Sequence, residues 1–122
     1  YDRVYGSAQP TLQCSNSLDL YTTKIGLITA DEAAMAGGTT SGNNSYYLYT
    51  GQFYWTMSPY YSENGYAYMF SSWSDGTLGW NSVNNTNGVR PVLNLRVDVI
   101  ISSGNGTSSN PYVISLPTDS FE

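Results

Sequence analysis

Histidine is absent from this 122-residue chain and cysteine occurs once, and both scarcities exclude kinds of chemistry. Without histidine, neither a Ser-His-Asp triad, nor a Cys-His pair, nor an HExxH metal site can be built from these residues. Cys14 has no second thiol with which to form a disulfide, a redox pair or a cysteine-rich zinc site. We therefore interpret Cys14 as a small, partly buried apolar residue.

Charged residues are also scarce, at 11% of the chain, and the formal net charge is −5. Binding to a nucleic-acid backbone or to an anionic membrane surface needs clustered Lys and Arg. The basic residues are dispersed along the chain, as Arg3, Lys24, Arg90 and Arg96. No apolar run approaches the roughly 20 residues of a membrane-spanning helix. We predict neither a nucleic-acid partner nor membrane insertion by this segment.

Motifs for phosphate binding and for acid–base catalysis are missing as well. There is no GxxxxGK[ST] loop, and the glycine-rich segment 103–107 has no Lys nearby and no helical pattern after it, which favours a hairpin loop. Of the nine acidic residues only Asp31 and Glu32 are adjacent, and helix capping accounts for both. A paired-carboxylate site would need two carboxyl groups from distant parts of the chain to face each other across a cleft, and nothing in the sequence indicates such a pair. We predict a protein that is not an enzyme and has no cofactor.

Calcium is the metal that we keep as a candidate, because neighbouring loops contain carboxylate and amide oxygens of the kind that bind it. These residues are Glu63, Asp75, Asn81, Asn84 and Asn85. The DxDxDG pattern of calcium-sensor loops is absent, and solvated turn residues are the simpler interpretation. No metal ligand is assigned.

Aromatic residues make up 15% of the chain, and Tyr and Gly occur 12 times each. This aromatic content distinguishes the chain from disordered ones of low charge and predicts a folded, turn-rich, mostly β domain. Its polar surface would consist of Ser, Thr, Asn and Tyr, which is typical of extracellular proteins. The length predicts a single domain at 1–116, with a tail or linker at 117–122. Because Tyr1 is not a natural start, we expect any export signal or anchor to lie upstream.

The first half of the chain carries the clearest local signal for a helix. Thr29 and Glu32 form a capping box, alanines follow, and Gly37 with Gly38 ends the pattern, which predicts a helix at about 29–37. The apolar run 25–28 before it predicts a short buried strand. Shorter strands are expected at 1–5 and 18–21.

The stretch from Tyr46 to Leu95 holds all three tryptophans and organises the rest of the chain. Ser58-Pro59 should end a strand, which leaves 60–65 as a polar loop, and Asp75-Gly76 should form a hairpin turn. Pro91 favours an edge position or a bulge for the strand that contains it. Strands are predicted at 46–49, 52–57, 66–73, 78–83 and 89–97, followed by a closing hairpin of 97–101 and 111–114 around the loop 102–110.

Tyrosine, tryptophan and asparagine in the loops 58–66 and 71–87 are the candidate ligand-binding residues. Tyr and Trp give a large contact area at a small entropic cost, and Asn gives adaptable hydrogen bonds. Aromatic faces with flanking amides also suit sugar rings. The candidates are Tyr60, Tyr61, Asn64, Trp73, Trp80, Asn84 and Asn85. About half of these rings are expected to be buried instead, Trp73 above all.

Arg90 and Trp55 are assigned structural roles rather than ligand contact. Arg90 stands within a largely apolar strand, between Val89 and Pro91. A guanidinium in such a strand should either extend along the apolar surface to reach water or satisfy backbone carbonyls and a carboxylate.

Five segments follow one another along the chain: IGLITADEAAMAGG, YYLYTGQFYWTMSP, DGTLGW, GVRPVLNLRVDV and SGNGTSSNPYVI. In this order they resemble an uncharacterised domain family found in secreted and surface proteins of gut Firmicutes. The family is related to the C-type-lectin-like and sulfatase-modifying-factor fold and often occurs in pilin-like or lipoprotein contexts. The chain lacks the EPN, QPD and WND signatures of calcium-dependent lectins, with Trp80-Asn81-Ser82 a partial echo, and it lacks the paired cysteines of the formylglycine-generating enzymes.

The resemblance implies an α+β, C-type-lectin-like fold with a twisted antiparallel sheet, a short helix and long irregular loops. It also implies an extracellular location, on a bacterial cell surface or a pilus-like fibre. We expect a non-enzymatic, adhesin-like module that binds a glycan or a protein. The alternative is a structural subunit of an extracellular filament, in which the aromatic loops contact neighbouring copies.

Overall fold

The computed structural model describes residues 4, 9–13, 23–107 and 109–115. The predictions for Cys14, for a strand at 18–21 and for a tail at 117–122 lie outside these residues. Val4 has helical backbone, so the predicted strand at 1–5 is wrong at that position. The elements, in chain order, are β1 (Gly26–Leu27), α1 (Ala30–Met35), β2 (Tyr54–Glu63), β3 (Tyr66–Ser72), β4 (Leu78–Ser82), β5 (Pro91–Val92), β6 (Ile100–Ser103) and β7 (Val113–Ser115).

The described strands form three antiparallel sheets. The central one has the strand order β2-β3-β4, and two smaller sheets pair β1 with β5 and β6 with β7. Strands therefore dominate, with a short helix beside the central sheet. This arrangement fits the α+β class predicted from the sequence.

Helix α1 begins and ends where the sequence predicts. The amide of Glu32 donates to Thr29 Oγ1 at 3.1 Å, and Glu32 Oε2 accepts from the Thr29 amide at 2.8 Å, so the capping box is confirmed. At the other end Gly37 has a φ of +106°, and the Gly38 amide donates to the Ala33 carbonyl at 2.9 Å. Glycine tolerates this left-handed conformation, which closes the helix.

The core lies between α1 and the central sheet. Ala30 and Ala33 of the helix and Leu78 of β4 are fully buried, and Phe70 of β3 is 2% exposed. The small alanine side chains allow the helix to lie close to the sheet, and the two large residues fill the space between them. Tyr60 packs against this core from one side.

Two strand predictions in the central stretch are wrong. The segment 46–49 is a turn, closed by the Tyr49 amide donating to the Tyr46 carbonyl at 3.0 Å. Strand β2 does not end at Pro59 but continues to Glu63, so the predicted loop 60–65 is reduced to the turn Asn64-Gly65. Pro59 is tolerated because β2 is an edge strand and the register is irregular on both sides of this residue.

Other predictions hold with changed boundaries. Strands β3 and β4 and the turn between them are confirmed, as is the closing hairpin of β6 and β7. The strand predicted at 89–97 pairs only at Pro91–Val92, on the two-stranded sheet with β1. Strand β1 is half-buried, and Ile25 before it is 59% exposed, so the predicted burial of 25–28 is wrong.

Within the described ranges, no helix has the length and apolarity needed to cross a membrane.

Candidate functional site

A bulge in strand β2 determines where its tyrosines lie. Pro59 pairs with Met69 and Tyr61 pairs with Tyr68, so β2 advances by two residues while β3 advances by one. The extra residue breaks the alternation of side chains between the two faces of the strand. As a result Tyr60 and Tyr61, although adjacent in the chain, both contact one group of aromatic rings.

These rings form an aromatic platform, which we define as Tyr60, Tyr61, Tyr68 and Trp80. Tyr60 lies parallel to Trp80 with ring centroids 5.6 Å apart, and Tyr61 lies parallel to Tyr68 at 4.7 Å. Tyr68 meets Trp80 edge-on at 5.1 Å. Each such contact contributes about 0.5–1.5 kcal/mol beyond the burial of area, so the rings hold one another in place.

The platform is anchored to the core on one side and open to solvent on the other. Phe70 pairs with Trp80 across β3 and β4, which places both side chains on the same face of the sheet. Tyr60 meets the buried Phe70 ring edge-on at 5.1 Å. In contrast, Tyr61 and Trp80 are each 41% exposed. The outer part of the platform is therefore a rigid aromatic surface that a ligand can reach.

The three candidate asparagines lie at the same end of the central sheet. Asn64 occupies the β2–β3 turn with a φ of +51°. Asn84 and Asn85 follow β4, where the Val83 amide donates to the Ala67 carbonyl at 3.1 Å and holds this turn beside the start of β3. The side-chain amide of Asn85 also donates to Asn81 Oδ1. Exposed amides thus border the sheet end that carries Tyr61 and Tyr68.

Trp73 is separated from the other candidates. It follows the far end of β3, where its ring lies over Gly79; a Cβ at Gly79 would stand 2.6 Å from the ring. Its ring centroid is 6.1 Å from that of Phe53. The side chain is half-buried, and its Nε1 has no hydrogen-bond partner among the described residues. Trp73 therefore packs against its own sheet rather than joining the platform.

Arg90 and Trp55 also lie away from the platform. Arg90 Nη1 donates to the Leu48 carbonyl at 2.6 Å, and its guanidinium lies 5.4 Å from the centroid of the Tyr54 ring. A contact of Arg90 with a backbone carbonyl is thus present as expected, whereas no carboxylate pairs with it in the described part of the chain. Trp55, half-buried, lines an apolar depression of about 250 Å³ with Leu27 and Met69.

Tyr46, Tyr61 and Asp75 have shifted pKa values. Burial raises the pKa of Tyr46 to about 12, and the nearby Tyr54 hydroxyl adds to the shift. Desolvation and the neighbouring Tyr68 raise the pKa of Tyr61. A tyrosine hydroxyl is a neutral hydrogen-bond donor at physiological pH even without such a shift. Hydrogen bonds from Thr77, chiefly from its backbone N–H, lower the pKa of Asp75.

The oxygen ligands that the sequence offers for calcium do not all lie together: Asn84 and Asn85 lie at the end of the sheet where β2 ends, and Asp75 does not. Asp75 lies in the β3–β4 turn and Glu63 at the opposite end of the sheet, roughly 20 Å away for a strand of this length. Among the residues that the structure describes, no three His, Cys, Asp or Glu side chains come close enough to hold a metal ion together.

Sequence reasoning missed Tyr68 and the strand position of Tyr60 and Tyr61. Tyr68 was predictable from its spacing: it lies two residues before Phe70 in β3, and residues two apart share a face of the sheet. The bulge at Pro59 has only a weak signal, since proline marks edge strands and bulges alike.

Comparisons of the chain with protein-family models, with curated proteins and with solved structures found no match.

Proposed function

We propose that this chain is a non-enzymatic, adhesin-like module that binds a glycan through the aromatic platform. One observation carries the proposal: Tyr61 and Trp80 are each 41% exposed, although stacking contacts and the buried Phe70 fix their positions. A contiguous patch of exposed rings, unlike a single exposed ring, is typical of a surface that binds a ligand or a partner. Because the rings are already held in place, a ligand binds with little loss of side-chain entropy.

The chemistry of the surroundings favours a sugar over a charged ligand. Sugar rings offer C–H groups that pack on aromatic faces and hydroxyls that exchange hydrogen bonds with amides. The platform supplies the faces, and Asn64, Asn84 and Asn85 supply amides at the same end of the sheet. The Tyr61 hydroxyl adds a neutral donor.

The setting that we propose for this module is a bacterial cell surface or a pilus-like fibre. The resemblance of its motifs to those of the surface-domain family of gut Firmicutes supports it, as does a composition poor in charged residues. A C-type-lectin-like fold is part of the same proposal, and the antiparallel central sheet with a short helix beside it is compatible with such a fold.

A glycan array tests the proposal directly. The purified domain should bind a defined set of glycans, and Trp80→Ala or Tyr61→Ala should reduce that binding by about tenfold or more, as for a central aromatic contact. Tyr112→Ala is the matched control, since Tyr112 is 53% exposed in the β6–β7 hairpin and should leave binding unchanged.

The array is repeated in calcium and in chelator, which decides whether calcium takes part in binding. A blank array from folded protein would contradict glycan binding. Glycan binding that survives both platform substitutions would contradict the platform as its site.

A structural subunit of a filament is the second candidate, and the closing hairpin favours it. Every residue of β6 and β7 is exposed, including Ile100, Ile101, Val113 and Ile114. Adjacent strand residues point to opposite faces, so both faces of this hairpin present apolar side chains. A two-stranded hairpin alone is marginally stable, and a second copy of the chain would cover it.

Light scattering over a range of protein concentrations tests this second candidate. Self-association that Ile101→Lys abolishes and Trp80→Ala leaves intact would favour a filament subunit. A monomer at all concentrations would contradict it.

A further inference from the structure

A second concave site lies around Arg90, away from the aromatic platform. This Arg90 cleft has a volume of about 590 Å³, within the range of about 300–1,000 Å³ that is usual for small-ligand sites. Arg90 lies over Tyr54, which pairs with Ser72 at one end of the central sheet, whereas the platform residue Tyr61 pairs with Tyr68 towards the other end. The side chains around the cleft are Tyr47, Tyr49, Thr50, Arg90, Thr107 and Pro111, with Gly106 beside them.

The guanidinium of Arg90 is fixed without being neutralised. One of its five N–H groups donates to the Leu48 carbonyl at 2.6 Å, and the Tyr54 ring supports its face. In the ranges that the structure describes, no acceptor takes the remaining N–H groups. Arg96 differs, because its Nε and Nη2 both donate to the carboxylate of Asp98. Arg90 is therefore a half-buried cation with free donors.

The charge of the cleft is opposite to that of the whole chain. The protein has a net charge of −5, yet none of the described residues lining the cleft carries a carboxylate, and Arg90 gives it a positive charge. A planar guanidinium with several free N–H groups matches a carboxylate, which accepts two parallel hydrogen bonds from it. The partially desolvated position of Arg90 strengthens that interaction relative to one in open water.

The rest of the cleft suits a sugar ring. Tyr47 is 75% exposed and offers an aromatic face at the rim. Thr50 and Thr107 offer hydroxyl groups, and the Tyr49 hydroxyl donates to the Ser74 carbonyl at 3.3 Å, which holds its ring in place. Aromatic faces and hydroxyls beside a cation form a surface for a ligand that combines a ring, hydroxyl groups and a carboxylate.

We propose that the Arg90 cleft is a second binding site, which takes the carboxylate of a sugar acid such as a uronic acid. Arg90 binds the carboxylate and Tyr47 packs against the ring. The site is independent of the platform and does not rest on the function proposed for it.

NMR titration of the ¹⁵N-labelled protein with D-glucuronate and D-glucose, at constant ionic strength, tests the site. The two sugars differ in the carboxylate, so glucuronate should shift the amide signals of the cleft and glucose should not. Arg90→Lys, which keeps the charge and a donor for Leu48, should weaken glucuronate binding by about tenfold or more because the bidentate contact is lost. Trp80→Ala should leave the titration unchanged, which separates this site from the platform.

Absence of cleft shifts with glucuronate would overturn the proposal. Equal shifts with glucose, or with sodium sulfate at the same ionic strength, would do so too, because the site would then not select a carboxylate. Tyr47→Ala covers the case in which Arg90→Lys does not fold, since an exposed rim residue is dispensable for folding. Weaker glucuronate binding by Tyr47→Ala supports the site, and unchanged binding in that variant counts against it.

Discussion

Tyr46 precedes the central sheet in the chain, yet its side chain is only 7% exposed. Its hydroxyl lies 2.9 Å from Ser72 Oγ and 3.4 Å from the Tyr54 hydroxyl. The Tyr54 hydroxyl in turn donates to the Leu48 carbonyl at 3.1 Å, the same carbonyl that accepts from Arg90. Side-chain hydroxyls and one guanidinium therefore fix a segment that makes no strand ladder of its own.

The raised pKa of Tyr46 makes stability depend on pH in the alkaline range. Burial favours the neutral phenol in the folded state, and the pKa rises from 10.0 to about 12. The stabilisation is complete below pH 10 and is lost as the pH rises towards 12, because the unfolded chain then releases the proton more readily. We expect the free energy of unfolding, measured in urea at several pH values, to fall across this window.

Tyr46→Phe provides the comparison for this prediction. It removes the ionisable group, and although it lowers stability near neutral pH through the lost hydrogen bonds, it should flatten the decline above pH 10. An equally steep decline in the variant would assign the effect to other tyrosines.

At the scale of elements, local signals were readable from the sequence and long-range ones were not. Helix α1 was predicted because its capping box and its terminal glycines lie within ten residues of one another. The sequence of 46–49 is typical of a strand, but its conformation depends on the hydrogen bond between Tyr46 and Ser72, a residue 26 positions away. The bulge that assembles the platform depends in the same way on the pairing of Pro59 and Tyr61 with β3.

The candidate site was therefore predictable in its residue types and only partly in its geometry. Tyr60, Tyr61 and Trp80 were named from their chemistry, and they do lie together. Trp73 was named for the same reason, but Gly79 offers its ring a flat surface that only the pairing of β3 with β4 creates. Residue type alone cannot separate a ring that packs from a ring that remains accessible.

The capping box of α1 should contribute measurably to the stability of the whole fold. Thr29→Ala removes the acceptor for the Glu32 amide, and loss of such a cap costs about 0.5–2 kcal/mol. Because Ala30 and Ala33 of the same helix are core residues, the cost should appear in global unfolding. Urea denaturation followed by circular dichroism measures it.

Thr40→Ala is the matched control for the cap, since Thr40 is exposed and lies outside any helix or strand. It should change stability by no more than about 0.5 kcal/mol. Equal effects of the two substitutions would mean that the cap is not what stabilises α1.

At the scale of the whole molecule, burial is concentrated in one part of the described chain. Phe70, Leu78 and the alanines of α1 form the core cluster, while every residue of β6 and β7 is exposed. Apolar burial is the main stabilising term in folding, so protection against local opening should follow its distribution. The chain thus combines a firmly packed central sheet with a closing hairpin that has little burial of its own.

Hydrogen exchange in dilute protein measures this difference directly. The amides of β3 and β4 should exchange at least about 100-fold more slowly than those paired between β6 and β7, because the central pairs open only with the core.

Adding unlabelled protein to a high concentration separates the two candidate functions. If copies assemble through the hairpin, protection of β6 and β7 rises with concentration while that of β3 and β4 stays constant. If the module acts as a monomeric adhesin, neither changes. Equal protection of both regions in dilute protein would contradict the assignment of the core to α1 and the central sheet.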